Sequence, residues 1–308
     1  MHKTALLPLL VGCHVFADGE ISLTCDDLAD CGDADTGSPF DTTLDLSLSA
    51  GLALSMTDTE SWLAGAFDPP DLTASVQKGG SGSTAGAIAW SADRNRLFLA
   101  DGGAFYVFGP DKTDINKFEI PTLETVLDIQ PIGQSVYLIT TGWLIEQPSP
   151  KAELSTINDN SEGLGFVSMT ADDTTLYLIS DDGSDGSDLY TFDTESDFVD
   201  LSAENFDSDA ARVDGDIFQG ADGALMSCST AGSIYSLTEM ISTGTTSEDV
   251  ASVSTSLDDV LTCGFDTDSG RYLVISASMG LFIIAPGEDD TLVDLTIDGQ
   301  TLEGAHIY

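Results

Sequence analysis

The chain repeats itself. Segments beginning at Gly86 (GAIAWSADRNRLFLADGGAFYVFG), Val126 (VLDIQPIGQSVYLITTGWLIEQ), Gly165 (GFVSMTADDTTLYLISDDGSDGSDLYTFD) and Val260 (VLTCGFDTDSGRYLVISASMGLFIIAP) share one shape, and a weaker copy, GDIFQGADGALMSCSTAGSIYSLT, starts at Gly215. Each reads as an apolar strand, an Asp/Gly-rich turn, a second apolar strand usually closing on Ser, Thr or Asp, a small-residue turn and a third strand. Aligned on the second strand, Phe98, Tyr137, Tyr177, Met226 and Leu273 lie 39, 40, 49 and 47 residues apart. A period of this length is a repeat of whole supersecondary units. A more polar fourth strand is expected after each copy, at 117–120, 153–157, 198–201, 250–253 and 292–295.

Four antiparallel strands per unit, with continuous apolar inner strands and a wetter outer one, is what a β-propeller blade needs, since inner strands are covered on both faces by neighbouring blades. Residues 45–80 supply a degenerate first copy, in which GLALSMTDTESWLAGAF matches the first two strands, and the final TLEGAHIY reads as one more first strand. The expectation is therefore an all-β propeller of about six four-stranded blades, five or seven also fitting the repeat. Both chain ends would share one blade and so remove the open edge. No long window carries helical periodicity, so almost no helix is expected. The second-strand run Leu97-Phe98-Leu99-Ala100-Asp101 resembles the strands of the YVTN, NHL and gluconolactonase-like propeller repeats. That resemblance spans much of residues 85–295 and implies architecture, with little said of function.

Charge narrows the partners. Nine Lys and Arg face 53 Asp and Glu, for a net charge of -44. Thirteen of the acids are Glu and 40 are Asp, the residue that favours turns over helix interiors. Such a surface repels phosphate backbones and anionic headgroups, which excludes nucleic acid and direct electrostatic docking on membranes. A solubility adaptation to salt water explains the charge, and multi-site calcium binding is the alternative.

The amino terminus carries a second resemblance. Met1-His2-Lys3 is a short basic head, residues 4–11 are apolar, and Leu10-Val11-Gly12-Cys13 is similar to the lipobox of bacterial lipoproteins. The resemblance implies a signal peptide at 1–12 and a lipid on Cys13, with export to the cell envelope on the periplasmic or surface side of an outer membrane. The competing reading makes residues 4–15 a first strand with a buried cysteine. Residues 13–44 then read as an acidic spacer, poor in large apolar residues, and 45–308 as the propeller. In an oxidising compartment the four remaining cysteines are expected to pair. Cys25 and Cys31 suit a local loop, while Cys228 and Cys263 lie in apolar segments of adjacent repeats. Four cysteines permit three connectivities, and buried free thiols at 228 and 263 are the alternative.

Catalytic constellations are thin. With His2 in the leader and His14 beside the lipid site, only His306 belongs to the body, and a packed core role suits it better than catalysis. Gly79-Gly80-Ser81-Gly82-Ser83 lacks the Lys of a phosphate loop and reads as a linker. Two acidic clusters, Asp181, Asp182, Asp185 and Asp188, and Asp266 with Asp268, place oxygens at calcium-loop spacing, though solvated hairpin turns explain them equally. The expected function is a lipid-anchored, non-catalytic surface binding or scaffold protein for a protein or carbohydrate ligand, with no cofactor or with calcium, touching the membrane only through its lipid. The rival is a metal-dependent hydrolase or lactonase. The gluconolactonase resemblance implies carboxylates at the propeller axis for it, and Glu124, Asp128 and Asp259 are of the right kind.

Overall fold

The computed structural model describes residues 48–57, 62–67, 77–78, 85–91, 96–101, 103–109, 115–122, 124–158, 164–181, 187–195, 202–205, 215–243, 249–295 and 301–308. Cys13, the expected lipid site, and the expected spacer 13–44 with Cys25 and Cys31 lie outside them, as do Asp182 and Asp185.

Strands dominate. In chain order they are β1 (Leu52–Thr57), β2 (Trp62–Phe67) and β3 (Gln77–Lys78); β4 (Ala85–Ser91), β5 (Arg96–Asp101), β6 (Ala104–Phe108) and β7 (Ile115–Glu119); then β8 (Asp128–Ile132), β9 (Ser135–Ile139), β10 (Leu144–Gln147) and β11 (Ser155–Thr156). They continue with β12 (Phe166–Ala171), β13 (Thr175–Asp181), β14 (Ser187–Asp193) and β15 (Ser202–Asn205); β16 (Ile217–Gln219), β17 (Leu225–Cys228), β18 (Ser233–Ser236) and β19 (Ala251–Ser252); β20 (Val260–Asp266), β21 (Arg271–Ser276), β22 (Gly280–Ile284) and β23 (Thr291–Val293); and finally β24 (Thr301–Ile307). One helix of seven residues, α1 (Leu237–Thr243), follows β18.

Hydrogen bonding groups these strands into six four-stranded antiparallel sheets. Five are consecutive runs of four. The remaining one has the order β24-β1-β2-β3, so the last described strand lies beside the first described one. Strands β1 and β2 are therefore the second and third strands of their sheet, one place further out than the sequence repeat suggests. The fourth strands fall where expected at β7, β11, β19 and β23, whereas β15 begins at Ser202, just beyond the expected 198–201.

The innermost strands touch in the order β24, β4, β8, β12, β16, β20 and back to β24. Between each two neighbouring sheets lies one apolar cluster, so the core is six seams in place of one centre. Leu54 and Leu302 pack with Leu273 and Ile283, Phe98 and Val107 with Ile129 and Leu138, and Tyr137 and Ile139 with Phe166 and Leu178. The second strands carry apolar runs because both faces meet a neighbour: Leu97, Phe98, Leu99, Leu138, Ile139, Leu273 and Val274 are all fully buried. Helix α1 joins the same scheme, its Leu237 and Met240 filling the seam that holds Ile179 and Ile217.

Close backbone approach at the centre sets where glycine is needed. A Cβ on Gly304 of β24 would sit 2.2 Å from the Gly86 carbonyl of β4. At Gly51 it would sit 2.3 Å from the ring of Tyr308, whose backbone exchanges hydrogen bonds with Gly51. Cys228 of β17 and Cys263 of β20 are joined in a disulfide across the seam between two sheets. Among the described residues no helix is long and apolar enough to cross a membrane.

Candidate functional site in the central channel

The six inner strands surround a cavity of about 1110 Å³. Its walls carry Asp101, Glu119, Glu124, Asp128, Asp216, Glu303 and His306, with Ile88, Met169, Phe218 and Ile307 between them and no Lys or Arg among the described lining residues.

Two aspartates hold the wall together. Asp128 opens β8 and Asp216 immediately precedes β16, each followed by Ile. In both, Oδ1 accepts the N–H of that following Ile, at 2.7 Å for Ile129 and 2.9 Å for Ile217. In both, Oδ2 reaches the inner strand of the next sheet, accepting the Met169 N–H and the Cys263 N–H, each at 3.0 Å. Asp216 accepts two more: Ser168 Oγ donates to Oδ1 at 2.5 Å and Thr262 Oγ1 to Oδ2 at 2.8 Å. Ser168 Oγ itself accepts the Ile217 N–H. Sunk among the inner strands, both carboxyls are desolvated, which raises them above the usual range; Asp128 goes to about 8, with the negative charge of Asp216 adding to the effect. Desolvation also raises Glu303.

Glu124 is held at the same end of its sheet, its Oε2 accepting Thr140 Oγ1 at 2.6 Å and the Gly142 N–H at 3.0 Å. Asp259 is not part of the channel wall. It accepts Ser276 Oγ at 2.6 Å and the Ser278 N–H at 2.8 Å, stapling the turn between β21 and β22. Burial alone would raise its pKa, but the bonds from Ser276 and Ser278 outweigh that and hold it below the usual carboxylate range. Glu124, Asp128 and Asp259 thus do not converge. His306 is half-buried on the channel wall, its Nδ1 accepting the Trp90 N–H at 3.4 Å and its ring stacked 6.1 Å from that of Tyr308; desolvation lowers it to about 4.

Of the acidic clusters, Asp181 and Asp188 sit at the end of the β13–β14 hairpin where the chain turns, opposite Ser187 and Ser180 respectively. Asp266 is spent on structure. Its Oδ1 accepts Ser49 Oγ and the N–H groups of Ser49 and Ala50, both at 2.9 Å, and its Oδ2 accepts Ser269 Oγ and N–H. These bonds outweigh burial and lower its pKa, and they tie the start of the described chain to β20. Asp268 is exposed in the turn that follows. Among the described residues no group of three His, Cys, Asp or Glu is arranged to hold a metal ion.

Asp216, Ser168 and Thr262 escaped the sequence reading. A signal existed: the dipeptide Asp-Ile stands at the head of the inner strand in two repeats, 128–129 and 216–217.

No family model matches the chain, and no curated protein matches it in sequence. Solved structures do match in shape. A chain of a nidogen/laminin complex superposes with a TM-score of 0.63 over 83% of this chain and 98% of that one at 8% identity. A catalytically inactive virginiamycin B lyase from Staphylococcus aureus with quinupristin gives 0.51 over 70% and 72% at 11% identity. The fold is a β-propeller. Likeness at such identities establishes the propeller's architecture alone.

Proposed function

We propose that this chain is an exported, lipid-anchored propeller that binds a cationic group of a protein or carbohydrate partner and performs no chemistry on it. In this reading Cys13 carries the lipid, residues 13–44 are a spacer, and the body is a six-bladed ring in which β24 completes the first blade. The ring reading is supported by the six sheets, the β24–β1 pairing and the cyclic order of the inner strands. The observation that carries the binding role is how the channel carboxylates are used. Asp128, Asp216 and Glu124 spend their oxygens on N–H and hydroxyl donors that fix the strands, while the cavity keeps an acidic lining without Lys or Arg among the described residues. A structure of this shape in a nidogen/laminin complex is consistent with a partner-binding role. The seam disulfide agrees with an oxidising compartment.

Calorimetric titration with oligolysine and with amino-sugar oligomers tests the site. Heat that falls with added salt and weakens in Glu303→Gln is expected; equal heats in that variant would place the binding on the general acidic surface. Fatty-acid labelling with Cys13→Ser as control tests the anchor, and an unlabelled wild type removes it.

A second reading, a metal-dependent hydrolase or lactonase, is favoured by the raised carboxyls of the channel and by the shape shared with a lyase. Calcium at the 181–188 turn is a separate proposal, and absence of heat and of any rise in Tm at millimolar calcium dismisses it.

A further inference from the structure

Pairing with the second strands puts the six inner strands in one register. Two residues before the partners of Leu54, Leu99, Leu138, Leu178, Ser227 and Val274 stand, in turn, Glu303, Gly86, Leu127, Val167, Gly215 and Leu261, and all six line the cavity. In β4, β12, β20 and β24 this position falls in a β-bulge, where the inner strand gains a residue over its partner. A bulge lets a side chain leave the regular alternation of the strand.

Five of these six residues are glycine or aliphatic. At Gly215 a Cβ would sit 2.1 Å from the Cys228 carbonyl oxygen, which leaves no room for a side chain. Leu127 is exposed, and Val167 and Leu261 are half-buried at the rims of two seams. Glu303 is the exception. It is half-buried, and among the described residues it makes no hydrogen bond or ion pair. Nearby carboxylates differ: Asp128, Asp216 and Glu124 accept donors of the wall, and Glu119 is exposed. No Lys or Arg stands among the described lining residues, and desolvation keeps the His306 ring neutral above about pH 4. A carboxylate drawn out of water without a donor costs stability. The fold breaks its own rule at one of six equivalent places, and such a breach is expected where a ligand supplies what the free protein lacks.

We propose that Glu303 is the specificity-determining residue of the channel and that its ligand is a lysine side chain of a protein partner, the ammonium meeting Glu303 and the methylenes lying against Leu127, Val167 and Leu261. This rests on the cation-binding role proposed above and narrows it. An aliphatic stem suits a ring with three aliphatic members. An amino-sugar ring suits it less, because the hydroxyls one step along β12 and β20, those of Ser168 and Thr262, are already donated to Asp216. A guanidinium brings more donors than one carboxylate can meet, so the compact ammonium fits better.

The test is calorimetric titration of the full chain in about 0.15 M sodium chloride, where screening to roughly 8 Å mutes the general acidic surface. The probes are n-butylammonium, n-hexylammonium, n-hexanol, a capped lysine and glucosamine oligomers. Hexylammonium is expected to bind more tightly than butylammonium by about two- to fourfold per added methylene, and about tenfold more tightly than hexanol. Glu303→Gln should erase the preference over hexanol and keep the gain per methylene, whereas Leu261→Ala should shrink that gain and keep the preference for charge. Glu303→Leu, which restores the rule of the other strands, should lose ammonium binding and melt about 2–4 °C above wild type. Hexanol binding as tightly as hexylammonium, or Glu303→Leu melting below wild type, would overturn the role of Glu303. Ammonium binding that ignores chain length, or glucosamine oligomers outbinding the capped lysine, would overturn the lysine side chain and leave cation binding in place. Silence from oligolysine and every ammonium would remove the binding role itself, and this inference with it.

Discussion

Single side chains do much of the joining in this molecule. Asp266 holds the N–H groups of Ser49 and Ala50, so Asp266→Ala should free the start of the body and cost about 2 kcal/mol, measured by denaturant unfolding at neutral pH. The carboxyl pKa is lowered, so this contribution is present above about pH 4 and lost as pH falls further; the variant and wild type should converge in acid. Gly304→Ala drives a Cβ into the Gly86 carbonyl, a backbone atom that cannot rotate away, and a loss of roughly 1–3 kcal/mol is expected in the same assay. The disulfide closes a 35-residue separation. Reduction should remove about 3–4 kcal/mol and lower the Tm by on the order of 10 °C, read by thermal melting with and without reductant.

At the scale of elements, the repeat was readable because every strand answers to the same demand. A second strand such as Leu97-Phe98-Leu99 is apolar at each position since sheets cover it on both sides, and that leaves a run no turn or helix would carry. The outer strands were blurred for the converse reason: β15 and β11 have little to bury, so their positions depend on pairing with β14 and β10, and β15 lies past the stretch that looked most like a strand. Helix α1 could not be foreseen from seven residues; Leu237 and Met240 are helical because a seam needed filling. The channel was legible only in kind. Asp128 stood out as a first-strand carboxylate, but Asp259, picked on the same ground, serves a turn, and nothing local shows that Asp216, Ser168 and Thr262 meet across three sheets. A chain ending at residue 300 is expected to lose its cooperative melt and near-ultraviolet dichroism, since β1 would forfeit its β24 partner and Leu302, Ala305 and Ile307 would leave the seam they share with Leu273 and Ile283.

On the whole molecule the net charge of -44 acts as a standing repulsion. Raising sodium chloride from about 0.01 M to 1 M shortens the screening length from roughly 30 to 3 Å. Tm should rise steadily over that range, and a flat profile would mean that the carboxylates are already neutralised by bound cations. The pairing of β24 with β1 adds a demand in time. Ser55 and Gly304, which meet in that sheet, are 249 residues apart. At ribosomal speeds of about 5–20 residues per second, β1 waits roughly ten to fifty seconds for its neighbour. Its open edge is a template for any other extended chain, so nascent copies of this protein are a hazard to one another until β24 has been made.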